Sequence, residues 1–138
     1  MGQKETMLAS VPLFAGLGTQ DLERIGGLAD EVSVPAGKVL AEEGAAAHEF
    51  FIILDGTVAI TKGGTTVRNL GSGDFFGEMA MLGRIPRTAT ATATVPTRLI
   101  VVGHREFTAL LTDHPSIQQH ILRTVAGWVA EAKPDRAS

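Results

Sequence analysis

The sequence predicts a mainly β domain with helices at both ends, built as a compact sandwich or barrel of about eight short strands. Three observations carry this reading. The 138 residues include 16 glycines, many of them between short apolar runs. After Pro35 the chain breaks into runs rich in Val, Ile, Phe and Thr. These recur at roughly the 8–12-residue spacing of strands joined by tight turns. Helical periodicity is confined to the two ends, before Pro35 and after Gly103.

Taken in order, "GTQDLERIGGLADEV" reads as a helix, with Thr19 as N-cap and Leu22, Ile25 and Leu28 or Ala29 at helical spacing. Gly26 and Gly27 weaken or bend it. The segments "KVLAEEG", "EFFIIL", "TVAITK", "TTVRNL" and "TRLIVVG" read as strands, and "LDGT" and "KGGT" as tight turns. In the Thr/Ala run from Arg87, strict alternation puts Arg87, Ala89, Ala91, Ala93 and Val95 on one face and Thr88, Thr90, Thr92 and Thr94 on the other. Beyond Gly103, Phe107, Leu110 and Leu111 share the face of a short helix. Pro115 suits the first turn of another, on which Ile117, Ile121, Val125, Trp128 and Val129 make one apolar stripe.

Composition narrows the function classes. Hydrophobic residues are 44% and charged residues 20% of the chain, enough apolar material for one domain with a real core. The chain has no cysteine, which excludes disulfides, thiolate nucleophiles and zinc–thiolate sites, and fits a cytoplasmic protein. Net charge is −3, with no basic block and no apolar run of about 18 residues, so neither nucleic acid nor membrane is the expected partner. An anionic ligand would have to be held by a local site.

"FFGEMAMLGRIPRTAT" supplies such a site. Gly77 permits a conformation or a close approach that a Cβ would block. If 78–82 form one helical turn, its first N–H groups have no partner within the turn and face an anion. Arg87 can grip the same anion with a fork suited to phosphate. Glu78 cannot hold a phosphate, but it can accept from a sugar hydroxyl. Together these describe a site for a small nucleotide. Arg87 and Thr88 can touch one phosphate only if residue 88 precedes the regular strand.

The stretch "GDFFGEMAMLGRIPRTAT" (73–90) resembles the phosphate-binding cassette of the cyclic-nucleotide-binding domain family, which includes catabolite activator protein, kinase regulatory subunits and nucleotide-gated channels. The likeness extends to "VPLFAGLGTQDLERI", "LAEEGAAAHEFFIILDGTVAI" and "HREFTALLTDHP", over about residues 11–130. The resemblance implies an eight-stranded β-roll, jelly-roll-like, with an N-terminal helix and C-terminal hinge and lid helices. It implies that Glu78 accepts from the ribose 2′-hydroxyl, and that Gly77 and the amides of Met79 and Ala80 line the ribose-phosphate. Arg87 would pair with the cyclic phosphate, and Thr88 would donate to phosphate or base. Ile60 and Val67 would form the apolar wall near the base. Trp128 serves packing or an interface, or lies over the base where family members place such residues.

The resulting expectation is a non-enzymatic, stand-alone sensor for cAMP, or for cGMP, whose C-terminal helices move on binding. Its domain runs 11–130, between a flexible N-terminus at 1–10 and a flexible tail at 131–138. An unidentified downstream protein and a homodimer through the last helix are the expected partners, and no cofactor is needed. One alternative is a ligand-independent interaction module on the same fold, with Glu78 and Arg87 as a structural ion pair. A cupin-like metalloenzyme is the other, though Phe50 stands where the second histidine of a His-x-His pair with His48 would be.

Overall fold

Among the residues that the computed structural model describes (3–46, 48–77, 86–123 and 126), eight strands form two four-stranded antiparallel sheets. Helix α1 (Gln3–Ala9), a 3-10 turn (Pro12–Phe14) and helix α2 (Thr19–Leu28) come first. Strands β1 (Ala29–Val34), β2 (Val39–Ala41), β3 (Glu49–Asp55), β4 (Val58–Lys62) and β5 (Thr65–Leu70) follow. Then come β6 (Phe75–Phe76), β7 (Thr90–Ala93), β8 (Thr97–Gly103), helix α3 (His104–Asp113) and a helix at 115–123, α4. One sheet runs β1-β8-β3-β6 and the other β2-β7-β4-β5. This is the mainly β roll with flanking helices that the sequence predicts. Among the described residues no helix is long and apolar enough to cross a membrane.

The hydrophobic pattern explains the layering. Successive strand residues point to opposite faces, so the continuous run Phe50–Ile53, buried throughout, must meet apolar partners on both sides. Phe50 and Ile52 join Phe75, Ile100 and Val102 under α1, α2, α3 and α4, where Leu8, Ile25, Phe107, Leu110, Ile117 and Ile121 close the core. Phe50 packs on Phe107 with ring centroids 4.6 Å apart and on Phe75 at 5.7 Å. Phe51 and Ile53 face the other sheet, with Val34, Val58, Leu70, Phe76, Ala91, Ala93 and Leu99. Phe51 and Phe76 stack at 4.7 Å, as their cross-strand pairing brings them opposite each other.

Two expectations are corrected. Helix α2 ends at Leu28, and the residues after it form β1, which pairs with β8 over six positions from Ala29↔Val102 to Val34↔Thr97. The N-cap of α2 is Gly18, with no side-chain cap, where Thr19 was expected. Within the stretch 1–10 the structure has helix α1, whose Leu8 is fully buried in the core beneath the helices. The expected flexible tail lies outside the described residues. Strand β1 exposes Asp30, Glu31, Val32 and Ser33 and buries only its two ends.

Candidate functional site

The approach to β7 is fixed by main-chain bonds. Thr90 is the first residue of the strand, so Arg87 and Thr88 precede it and are not bound by its alternation. The condition for both to reach one ligand group is therefore met. The turn at 42–45 holds Arg87 on both sides: the Arg87 N–H donates to the Ala45 carbonyl at 2.9 Å, and the Gly44 N–H donates to the Arg87 carbonyl at 2.8 Å.

The Arg87 side chain turns inward and is 8% exposed. Its Nη2 donates to the main-chain carbonyl of Glu49 at 2.7 Å, and its guanidinium carbon lies 5.7 Å from the Phe51 ring centroid. Burying a guanidinium is costly unless hydrogen bonds and charge compensate. The Glu49 carbonyl and the Phe51 ring face orient the group within the roll.

Gly77 belongs to the same construction. Its φ is +94°, a region open to glycine and costly for residues with a Cβ. A Cβ there would lie 2.7 Å from Arg87 Nη1 and 3.0 Å from the Glu49 carbonyl oxygen. Glycine at 77 is what lets the guanidinium reach Glu49. Asp74, a conceivable partner for Arg87, instead accepts from the Gly71 N–H at 2.9 Å within the preceding turn.

The sheet on which β7 lies also carries Ile60 and Val67, the residues expected to form the apolar wall. Ile60 sits opposite Ala91 on one side and Arg68 on the other, so all three share a face. Ile60 is half-buried and packs against the core cluster to which Ala91 belongs. The ladder slips between Ile60 and Thr61, where Val67 is the extra residue of a β-bulge and is 55% exposed. Thr88 is exposed. Glu78, Met79, Ala80 and Trp128 lie outside the described residues.

Three participants were missed in the sequence. The Glu49 carbonyl is main chain and leaves no trace in residue type. Arg68 comes to the Ile60 face only through the bulge. Glu43, in the turn beside Arg87, offered as a signal only its place in a Glu-Glu-Gly turn. No group of three His, Asp or Glu among the described residues could hold a metal ion, so the cupin-like alternative finds no support there.

Comparison with known proteins adds to this geometry. A family model described as "Cyclic nucleotide-binding domain" matches residues 31–114. A protein of Rhodopseudomonas palustris named as a potassium channel is 37% identical over 126 residues, 88% of this chain and 30% of the relative. The cAMP-dependent protein kinase regulatory subunit of Hypocrea atroviridis is 32% identical over 107 residues, 78% of this chain and 23% of the relative. The chain thus spans 30% or less of the length of these relatives. Among solved structures, cAMP-bound PfPKA-R superposes with a TM-score of 0.84 at 24% identity, over 94% of this chain and 45% of that one, a likeness of fold.

Proposed function

Because the chain belongs to the cyclic nucleotide-binding domain family, whose regulatory domains are not themselves enzymes, we propose that it is a sensor module that captures a 3′,5′-cyclic nucleotide and answers by shifting its C-terminal helices. The observation that carries this reading is the buried Arg87, gripped by main chain on both sides and aimed by the Glu49 carbonyl. Its guanidinium would pair with the cyclic phosphate, while Gly77 and the amides of Met79 and Ala80 would line the ribose-phosphate. Glu78 would accept from the ribose hydroxyl, Thr88 would donate to phosphate or base, and Ile60 and Val67 would stand beside the base. Trp128 would reach over it from the last helix.

cAMP is the favoured ligand, supported by a relative named as a cAMP-dependent regulatory subunit and by a structural neighbour with cAMP bound. cGMP is the competitor that the Thr88 hydroxyl could accommodate. The route to the helices runs through β3. Glu49 binds Arg87 through its carbonyl, and the next residue, Phe50, touches Phe107 of α3. A phosphate that draws Arg87 away from Glu49 would bias two arrangements of that contact. The same reading has the module act in the cytoplasm on a downstream protein, with self-association through the C-terminal helix.

Calorimetric titration with cAMP and cGMP tests the proposal. Wild-type protein is expected to bind at micromolar concentration or tighter. Arg87→Ala should lose roughly 10–100-fold in affinity, the equivalent of one charge-assisted contact. Folded wild-type protein that binds neither nucleotide at high micromolar concentration would overturn it.

A further inference from the structure

Strand β7 lies between β2 and β4, so the segment that delivers Arg87 has the 42–45 turn on one side and the β4–β5 hairpin on the other. One side chain crosses from the first to the second. The Glu43 N–H donates to Thr90 Oγ1 at 3.0 Å, and Glu43 Oε1 accepts from the Gly63 N–H at 3.1 Å.

Gly63 and Gly64 form the tip of that hairpin, with φ of 56° and 82°. These are the values of a two-residue turn that needs positive φ at both positions. The strand ladder ends at Lys62↔Thr65, so the Gly63 N–H lies beyond it, and the acceptor it finds is the Glu43 carboxylate. Glu43 is itself exposed, so it contributes little by burial. What it does is tie three adjacent segments together beside the point where Arg87 enters the roll.

We infer that Glu43 is a positioning residue for the nucleotide site: its carboxylate holds the tip of the hairpin bearing Ile60, Val67 and Arg68 against the turn that grips Arg87, and so refines a separation between base wall and phosphate grip that the β4–β7 ladder sets only at Ile60 and Thr61. This rests on the cyclic-nucleotide reading above. The phosphate grip itself does not depend on the carboxylate, because Arg87 is held by the main chain of Gly44 and Ala45. Truncating Glu43 therefore frees the hairpin tip at Gly63, leaves the β4–β7 ladder paired and leaves the grip in place. The expected consequence is selective: weaker recognition of the base, with recognition of the cyclic phosphate unchanged.

The experiment compares wild type, Glu43→Ala and Glu43→Gln in binding to cAMP and to a base-free ribose 3′,5′-cyclic phosphate, the latter by displacement of a fluorescent cyclic nucleotide. Hydrogen exchange at the Gly63 amide is followed in the same proteins. Glu43→Ala should weaken cAMP about five-fold, the worth of one ordinary hydrogen bond, leave the base-free ligand unaffected, and speed exchange at Gly63. Glu43→Gln keeps an acceptor oxygen and should restore both cAMP affinity and protection of the Gly63 amide. Unchanged cAMP affinity in Glu43→Ala would overturn the inference. Equal losses for both ligands would overturn it too, since they would report a general structural role. A wild-type protein that binds neither ligand removes the binding reading itself, and the inference with it.

Discussion

The two sheets differ in how many of their faces are covered. The sheet β1-β8-β3-β6 is apolar on both sides at its centre: Phe50, Ile52 and Ile100 meet the helices, and Phe51, Ile53 and Leu99 meet the other sheet. The sheet β2-β7-β4-β5 is apolar on one side only. Along β7, Ala91 and Ala93 are buried while Thr90 and Thr92 are half-exposed, and β4 is fully buried only at Val58. Large residues fill the first sheet and small ones the second. The first is built to hold the fold together. The second is covered on one side only, and Arg87 lies just ahead of its strand β7. On the proposed function, the difference assigns stability and recognition to different sheets, joined at β3, whose Glu49 carbonyl accepts from Arg87 and whose Phe50 packs on Phe107 of α3.

The division predicts unequal costs. Phe50→Ala, in the sheet covered on both sides, should lower unfolding free energy by about 3–5 kcal/mol, measured by urea denaturation. A loss under about 1 kcal/mol would break the division. Next is Gly77→Ala, where the strained backbone should cost about 1–3 kcal/mol. Crowding of Nη1 and the Glu49 carbonyl should weaken cAMP binding in the same variant. Ile60→Ala, in the sheet covered on one side, should cost only about 1 kcal/mol because the side chain is half-buried. Its larger effect should appear in cAMP affinity, read by calorimetry. The smallest effect is expected at Arg98, which pairs with Glu31 Oε2 at 3.0 Å with both side chains more than a third exposed. Arg98→Ala should change the melting temperature little, since such a pair contributes about 0–1 kcal/mol. It should leave nucleotide binding unchanged, in contrast to Arg87→Ala.

Much of the roll was legible because burial leaves a mark on residue type. The runs that became β3, β4, β5 and β8 were placed to within a residue or two, since each is apolar or β-branched between glycine turns. Strand β1 was not, because "ADEVSV" buries only its ends and is held to β8 by main-chain bonds that any residues could make. Helix α1 escaped for a related reason: Leu8 anchors it, and one leucine has no period. Arg87 and Gly77 drew attention because a guanidinium fork and a missing Cβ are marks of residue type, and the structure brings the two together at the Glu49 carbonyl. The position of Arg68 depends on a bulge, and that of Glu43 on two turns meeting, and neither is encoded by spacing along one strand.

The exposed outer strand β1 has a consequence for behaviour at high concentration. Among the described residues β1 is an outer strand of its sheet, and Asp30 and Glu31 put a carboxylate on each of its faces, that of Glu31 paired with Arg98. A second molecule arriving there to extend the sheet would bring its own carboxylates, and like charges would meet across the seam. Such a border resists stacking into fibrils, so crowding alone should not drive these molecules together along it.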